Sequence, residues 1–297
     1  DELNFLSKVP NLMKPRFRQI IKELFPDMQN EMINFHLSKS ICDTKFSPTI
    51  NFNSLFEDSK DNFEKIKVIQ ERLEAMMKSI LAEAKSNGLE DSFFLHISPN
   101  LGTKDGMEII KRAKPDDIGS TDIQLLLKGA VKDSGVLFLL NKYIGEKKNK
   151  YPFGKNFNFR DAPKSIKEKI ELCKKYISPK DMPLIIGVGD TITSQKNSKN
   201  GLFSRGGSDR SFLELIQTIG YEYETRNTII FVDSSQGEVF RPSTRLTGLR
   251  GITDEEDFLK FDLIFQNGHK EYINWFKNIA NKRYKSRNKK FDDYILN

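Results

Sequence analysis

The sequence is poor in the residues that build metal centres and covalent staples. It has two cysteines and three histidines in 297 residues, and no apolar run approaches the length of a membrane span. Cys42 and Cys173 suit a reducing compartment and read as small core residues, which argues against a disulfide framework. His36, His96 and His269 are scattered without ligand spacing and read as structural or surface residues. A spanning helix needs roughly 18–20 consecutive apolar residues, and none is found. The first thirty residues mix Lys, Arg, Pro and Asp, which is not the pattern of a secretory leader. Internal repeats and long low-complexity tracts are also missing. These absences point to a cytoplasmic protein with no membrane partner.

What is present is core material and positive charge. The length suits one large or two medium domains. Hydrophobic residues at 37% and 23 phenylalanines suffice for a real core. The net charge is +7 and the pI about 9.1. Part of the excess sits in NKRYKSRNKK at 281–290, where six of ten residues are basic and none is acidic. That stretch reads as a solvated helix end and tail, with an anionic contact, nucleic acid included, as the alternative. The chain starts at Asp1 and not at Met, which sets the expectation of a piece of a longer protein.

Along the chain the grammar changes near residue 150. Pro10, Pro15, Pro26 and Pro48 imply short helices in the first sixty residues, among them RFRQIIKELF at 16–25. The stretch at 59–88 is the clearest helix of the first half, with Asp61 as its N-cap and Gly88 as its stop. SFFLHIS at 92–98 reads as a strand, 114–135 as containing a helix from near Ser120 to Gly135, and 135–145 as a second apolar helix, with a strand as the alternative. A polar connection at 146–163 follows. Helices are then expected at 165–177, 211–220 and 269–283, alternating with buried strands at 182–190, 227–235 and 261–268. Short apolar strands alternating with helices imply a parallel sheet covered on both faces, hence an α/β protein.

In such sheets, ligands bind beyond the carboxyl ends of the strands. The strand in IIGVGDTITS at 185–194 delivers Asp190 to that place. A carboxylate there is suited to a hard cation such as Mg2+, which takes oxygen ligands and keeps waters for a phosphate. The segment SRGGSDR at 204–210 adds what an anion needs: backbone N–H groups at Gly206 and Gly207, the guanidiniums of Arg205 and Arg210, a second carboxylate at Asp209, and a helix N-terminus. The plain alternatives are that Asp190 caps a turn and that the loop is an ordinary connector.

Lys164 opens the helix upstream of this strand, and the order of a basic residue, then a strand ending in Gly-Asp, resembles the third and fourth motifs of the haloacid dehalogenase superfamily of phosphatases. The longer words FLHISPNLG at 94–102, DDIGSTDIQLLLKGAVKDSG at 116–135, GVGDTITSQ with RGGSDRSFLELIQ within 187–217, and VDSSQGEVFRPS at 232–243 resemble one branch of it, the glucosylglycerol-phosphate phosphatases of cyanobacterial salt tolerance. The resemblance runs from about Phe93 onward. It implies Mg2+-dependent hydrolysis of a small-molecule sugar phosphate, glucosylglycerol 3-phosphate, to the compatible solute glucosylglycerol. It further implies a Rossmann-like core at 151–297 and a mixed cap with flanking elements at 1–150. Lys164 and Asp190 would act in catalysis, Asp190 and Asp209 would hold the metal, and Arg205, Gly206, Gly207 and Arg210 would bind substrate. Ser98 and Asn100, with Asp116, Asp117, Thr121 and Asp122 nearby, would lie where the sugar is read.

Two departures from that pattern stand out. The superfamily's nucleophile lies in an Asp-x-Asp at a strand end, and the chain contains no such word. The expectation is that the nucleophile strand lies outside these residues and that the chain alone is inactive, with Asp233 in FVDSS as the first residue to re-examine otherwise. The acid usually found four residues after the Gly-Asp aspartate is Ser194 here. The rival class is a non-catalytic binder of anions or nucleic acid.

Overall fold

A computed structural model of the chain describes residues 1–42, 46–59, 62–115, 117–197, 200–235 and 243–295, with side chains as far as 285. Elements run α1 (Glu2–Leu24), α2 (Asn30–Ser40), β1 (Ile41–Cys42), β2 (Thr49–Asn51), α3 (Asn53–Glu57), α4 (Phe63–Ser86), β3 (Phe93–Ser98), β4 (Asn100–Lys104), β5 (Met107–Ile110) and β6 (Asp122–Leu127). They continue with α5 (Lys132–Lys148), α6 (Ile166–Tyr176), β7 (Ile186–Gly189), β8 (Thr193–Lys196), β9 (Phe203–Gly206), α7 (Arg210–Glu222), β10 (Thr228–Val232), α8 (Thr244–Thr247), β11 (Leu263–Phe265) and α9 (Gly268–Ile295). The fold is mixed α/β, as the strand and helix alternation implied.

The first half is built on an antiparallel sheet of order β1-β2-β6-β3. Its inner face, with Ile97, Ile123 and Leu125, packs against α1 and α4 in one apolar cluster. Two sequence expectations fail here. The prolines do not keep the N-terminal helices short, because α1 runs unbroken through Pro10 and Pro15. Its stripe of Leu6, Val9, Met13, Phe17 and Ile21 is fully buried. Each such side chain contributes about 1.5–3 kcal/mol on burial, so together they outweigh about 3 kcal/mol per interior proline. The helix expected from Ser120 is instead the central strand β6, hydrogen-bonded to β2 and β3. Ser120 caps nothing: its hydroxyl donates to Pro99 O at 2.6 Å and accepts from Lys111 N at 2.8 Å. The N-cap of α4 is Asn62, which accepts from Lys65 N; the expected cap, Asp61, lies outside the described residues, as does Asp116.

The second half holds a parallel sheet of order β11-β10-β7. Helices α5, α6 and α7 form one apolar cluster beside it, and α7 also covers the sheet through Leu213 and Ile216. Tyr272 and Phe276 of α9 pack on Ile230, Val232 and Phe265. The connection at 146–163 lends Phe153, Phe157 and Ala162 to the α5–α7 cluster. Where a simple loop after Asp190 was one expectation, the chain folds as an antiparallel hairpin, β8–β9. Among the described residues no helix is long and apolar enough to cross a membrane.

Candidate active site

Why the chain runs from an apolar strand straight into a carboxylate is a matter of packing. A Cβ on Gly187 would stand 2.8 Å from Leu213, and one on Gly189 would stand 2.8 Å from the Cβ of Asp209. Both glycines therefore let α7 press against β7, which brings the start of that helix beside the strand's carboxyl end. Asp209, the N-cap residue of α7, accepts from Asp190 N at 2.8 Å and Thr191 N at 3.0 Å through Oδ2. Its Oδ1 accepts from the ammonium of Lys132. With 4% of its side chain exposed, Asp209 is an anchor for the turn after β7. Asp190 itself is exposed and accepts from Thr191 Oγ1 at 3.1 Å.

Lys132 is the residue that sequence reasoning missed. It is the first residue of α5 and is tied to Asp209 across the head of the sheet. It lines a cleft of about 530 Å3 together with Asp190, Asp209, Asp233 and His269. Beneath it, Lys169 is almost fully buried and donates to Asp133 Oδ2 at 3.0 Å and to Lys164 O at 2.9 Å. That pair fixes the start of α5. The expected basic residue, Lys164, is exposed and lines none of the clefts that contain Asp190. It precedes Ser165, whose capping box with Glu168 starts α6. The signal for Lys132 was in the KGAVKDSG word, hidden inside the stretch read as a helix ending at Gly135.

The other expected residues divide into clefts and clamps. Arg205 lines a second, larger cleft of about 630 Å3, but its Nε and Nη2 are paired with Asp254 at 2.8 and 2.6 Å. Hydrogen bonding to Arg205 and Ser194 holds the Asp254 carboxyl down at about 2. Arg210 is buried; it forks onto Asp257 at 2.8 Å through both terminal nitrogens, pairs with Glu214, and donates to Gly206 O. Burial pulls its pKa down, but the bonds to Asp257 carry it above its ordinary value. It is a clamp on the β8–β9 hairpin.

Gly206 and Gly207 meet the first half of the chain at Asn100. The Asn100 Oδ1 accepts from Gly102 N and Gly207 N, both at 3.0 Å, while its amide donates to Ile97 O and Glu108 Oε2. Its carbonyl accepts from Thr193 Oγ1 at 2.6 Å. Asn100 is thus a seam between the two halves. Gly207 sits at φ +99°, and a Cβ there would stand 2.3 Å from Thr191 O. Ser98 lines the larger cleft, with no hydrogen-bond partner for its hydroxyl among the described residues.

Asp233, at the end of β10, is closed to chemistry. Its Oδ2 accepts from Thr244 N, Thr244 Oγ1 and Ser243 Oγ, and its Oδ1 from Ser235 N. Burial pushes its pKa up, but these bonds bring it below the ordinary carboxylate value. Among the described residues no group of three or more His, Cys, Asp or Glu side chains is placed to hold a metal. Asp190 is the one exposed carboxylate at the end of β7, and a single carboxylate fits an ion such as Mg2+ that keeps waters and takes phosphate oxygens.

Comparison with known proteins gives two matches. The family model described as glucosylglycerol-phosphate phosphatase matches residues 1–280. The chain is 40% identical over 298 residues to the glucosylglycerol-phosphate phosphatase of Synechocystis sp. (strain ATCC 27184 / PCC 6803 / Kazusa), which covers 95% of this chain and 70% of that protein. No solved structure matches.

Proposed function

The chain belongs to the glucosylglycerol-phosphate phosphatase family, and from that premise we propose that it forms the sugar-reading and charge-stabilising part of an enzyme hydrolysing glucosylglycerol 3-phosphate to glucosylglycerol. The observation that carries the reading is Asp209 binding both the Lys132 ammonium and the Asp190 backbone N–H at the carboxyl end of β7, where Lys132 and Asp190 line one cleft. The exposed ammonium of Lys132 offsets charge on the phosphoryl oxygens, and Asp209 fixes its position. Asp190 holds a divalent cation; when bound, that cation neutralises charge on the phosphate. Preorganised groups of this kind act without reorganising during reaction. The rest of the assignment is a salt-tolerance role in compatible-solute synthesis, in the cytoplasm, with Mg2+ as the cation.

On this reading the acceptor of the phosphoryl group belongs to a strand beyond the described sheet. Of the described carboxylates that line the cleft with Lys132, Asp209 and Asp233 are engaged by their neighbours and Asp190 is given to the cation, which leaves none for attack. Among the described residues β7 is paired to β10 alone, so its other edge is open there. An apolar groove of about 550 Å3 runs along that edge, lined by Val136, Leu139, Tyr143, Leu184 and Ile186. Leu139 of α5, Leu184 just before β7 and Ile186 at its start are 63%, 60% and 49% exposed, high values for aliphatic residues beside a parallel sheet. A further strand added in parallel there would end beside Asp190 and Lys132, where a carboxylate could attack phosphorus. The division into a cap at 1–150 and a core at 151–297 belongs to this proposal, with α5 packing on the core side.

The test is turnover. The 297-residue chain, assayed with Mg2+ and glucosylglycerol phosphate, is expected to be inactive, while the same protein extended at its N-terminus is active. Turnover by the short chain would refute the placement of the acceptor. Inactivity of both would refute the phosphatase reading.

A further inference from the structure

The larger cleft has a wall whose chemistry differs from the Lys132–Asp190 corner. Strands β3 and β6 pair His96 with Gln124 and Ser98 with Asp122. Side chains alternate along a strand, so these four share one face, and Leu95, Ile97, Ile123 and Leu125 share the other, packed in the core. A polar sheet face is ordinary when it meets bulk water. This one faces the second half of the chain instead, across a cleft whose opposite side is Lys132, Thr191, Arg205 to Ser208, Ser211, and the paired Arg210 and Glu214.

The wall is acidic and neutral, not basic. His96 Nδ1 is bonded to Glu108 Oε1 at 2.9 Å. A carboxylate only accepts, so Nδ1 is the donor in this bond. Glu108 Oε2 accepts from Ile97 N and Asn100 Nδ2. Gln124 Nε2 donates to Asp122 Oδ1 at 3.1 Å, and Gln124 Oε1 has no partner among the described residues. Two carboxylates, from Glu108 and Asp122, make this wall repel a phosphate. Hydroxyl groups, which both donate and accept, complement the set of Nε2, Oε1, the Ser98 hydroxyl and the Asp122 oxygens. Leu126, Ala130 and Val131 add an apolar strip for the C–H face of a ring.

Resting on the phosphatase reading, we propose that His96, Ser98, Asp122 and Gln124 form the platform that binds the neutral glycosyl-polyol end of the substrate, independently of phosphate and metal. Lys132 lines both this cleft and the one holding Asp190. The substrate therefore lies with its anionic end at Lys132 and its hydroxyls against β3 and β6. The charge of the two walls sets that orientation and disfavours the reverse.

Binding of the dephosphorylated product tests this without any turnover. Titrate neutral glucosylglycerol into the 297-residue chain, free of Mg2+ and phosphate, and follow it by calorimetry or by ligand-observed NMR. Saturable binding with a Kd below about 10 mM is expected, as a few hydrogen bonds and one apolar face provide. Gln124→Leu and His96→Ala should each weaken it at least about tenfold, with circular dichroism and melting checked to establish that both fold. Absence of saturable binding, or binding that both folded variants leave unchanged, would overturn the platform. An extended chain that turns over the sugar phosphate while the platform fails would leave the phosphatase reading standing. Binding of glucosylglycerol with an inactive extended chain would support the platform and sink the phosphatase reading.

Discussion

Replacing Arg210 with methionine separates a phosphate ligand from a structural clamp. The sequence placed Arg210 beside two glycines at a helix start, which reads as an anion contact. The structure gives its two terminal nitrogens to Asp257 at 2.8 Å, with both side chains inaccessible or nearly so. Further donors go to Gly206 O, Thr193 O and Ile252 O. Arg210→Met leaves the Asp257 carboxylate buried with its main partner gone, and removing one member of a buried pair costs about 3–5 kcal/mol. In a chain of this size that lowers the melting temperature by about 5–8 °C. Urea denaturation of Arg210→Met, Asp257→Leu and the double variant measures it. The double variant should recover part of the loss, because no orphan charge remains. If Arg210→Met keeps wild-type stability within about 0.5 kcal/mol, the clamp assignment is wrong.

In the extended enzyme, Asp190→Asn should cost at least about a hundredfold in Mg2+-dependent turnover, the scale of losing one strong electrostatic group, with the fold intact because Asp190 is exposed; normal turnover at saturating Mg2+ removes it from the site. Asp254, held at about 2 against an ordinary 3.8, binds fewer protons folded than unfolded between those values. Its contribution to stability is therefore present above roughly pH 4 and is lost as pH falls through about 2. NMR titration should show Arg205→Ala returning Asp254 toward the ordinary range, and an unmoved Asp254 would reject the pairing. Gly207→Ala should destabilise by about 1–3 kcal/mol, since the residue sits at φ +99° with Thr191 O in the way; a melting curve unchanged from wild type would count against the turn's role.

Legibility followed the range of the interactions. The core strands β7 and β10 and the helices α6 and α7 were readable because local pattern and packing agree there: apolar runs bounded by Gly and Asp, and a Ser-x-x-Glu capping box at 165–168. DIQLLL at 122–127 was misread because Ile123, Leu125 and Leu127 fit a strand while the same stretch also tolerates a helix. The choice is made by β2 and β3, whose pairing partners lie far away in sequence. That misreading hid Lys132, since a helix through Gly135 leaves no helix start at 132. Arg205 and Arg210 were read as substrate contacts, but their partners, Asp254 and Asp257, are 49 and 47 residues downstream. No spacing rule announces an ion pair across such a distance.

The Asn100 seam bears on how traffic through the cleft is timed. One amide joins Gly102 on one side to Gly207 on the other, and the same residue's carbonyl holds Thr193. Swinging the halves apart like a hinged lid would strand those buried groups together, a step far costlier than thermal fluctuation of a surface loop. A product bound on the proposed platform would then leave by the mouth of the cleft, with its residence time set by the strength of its hold on the wall and not by the opening rate of a door.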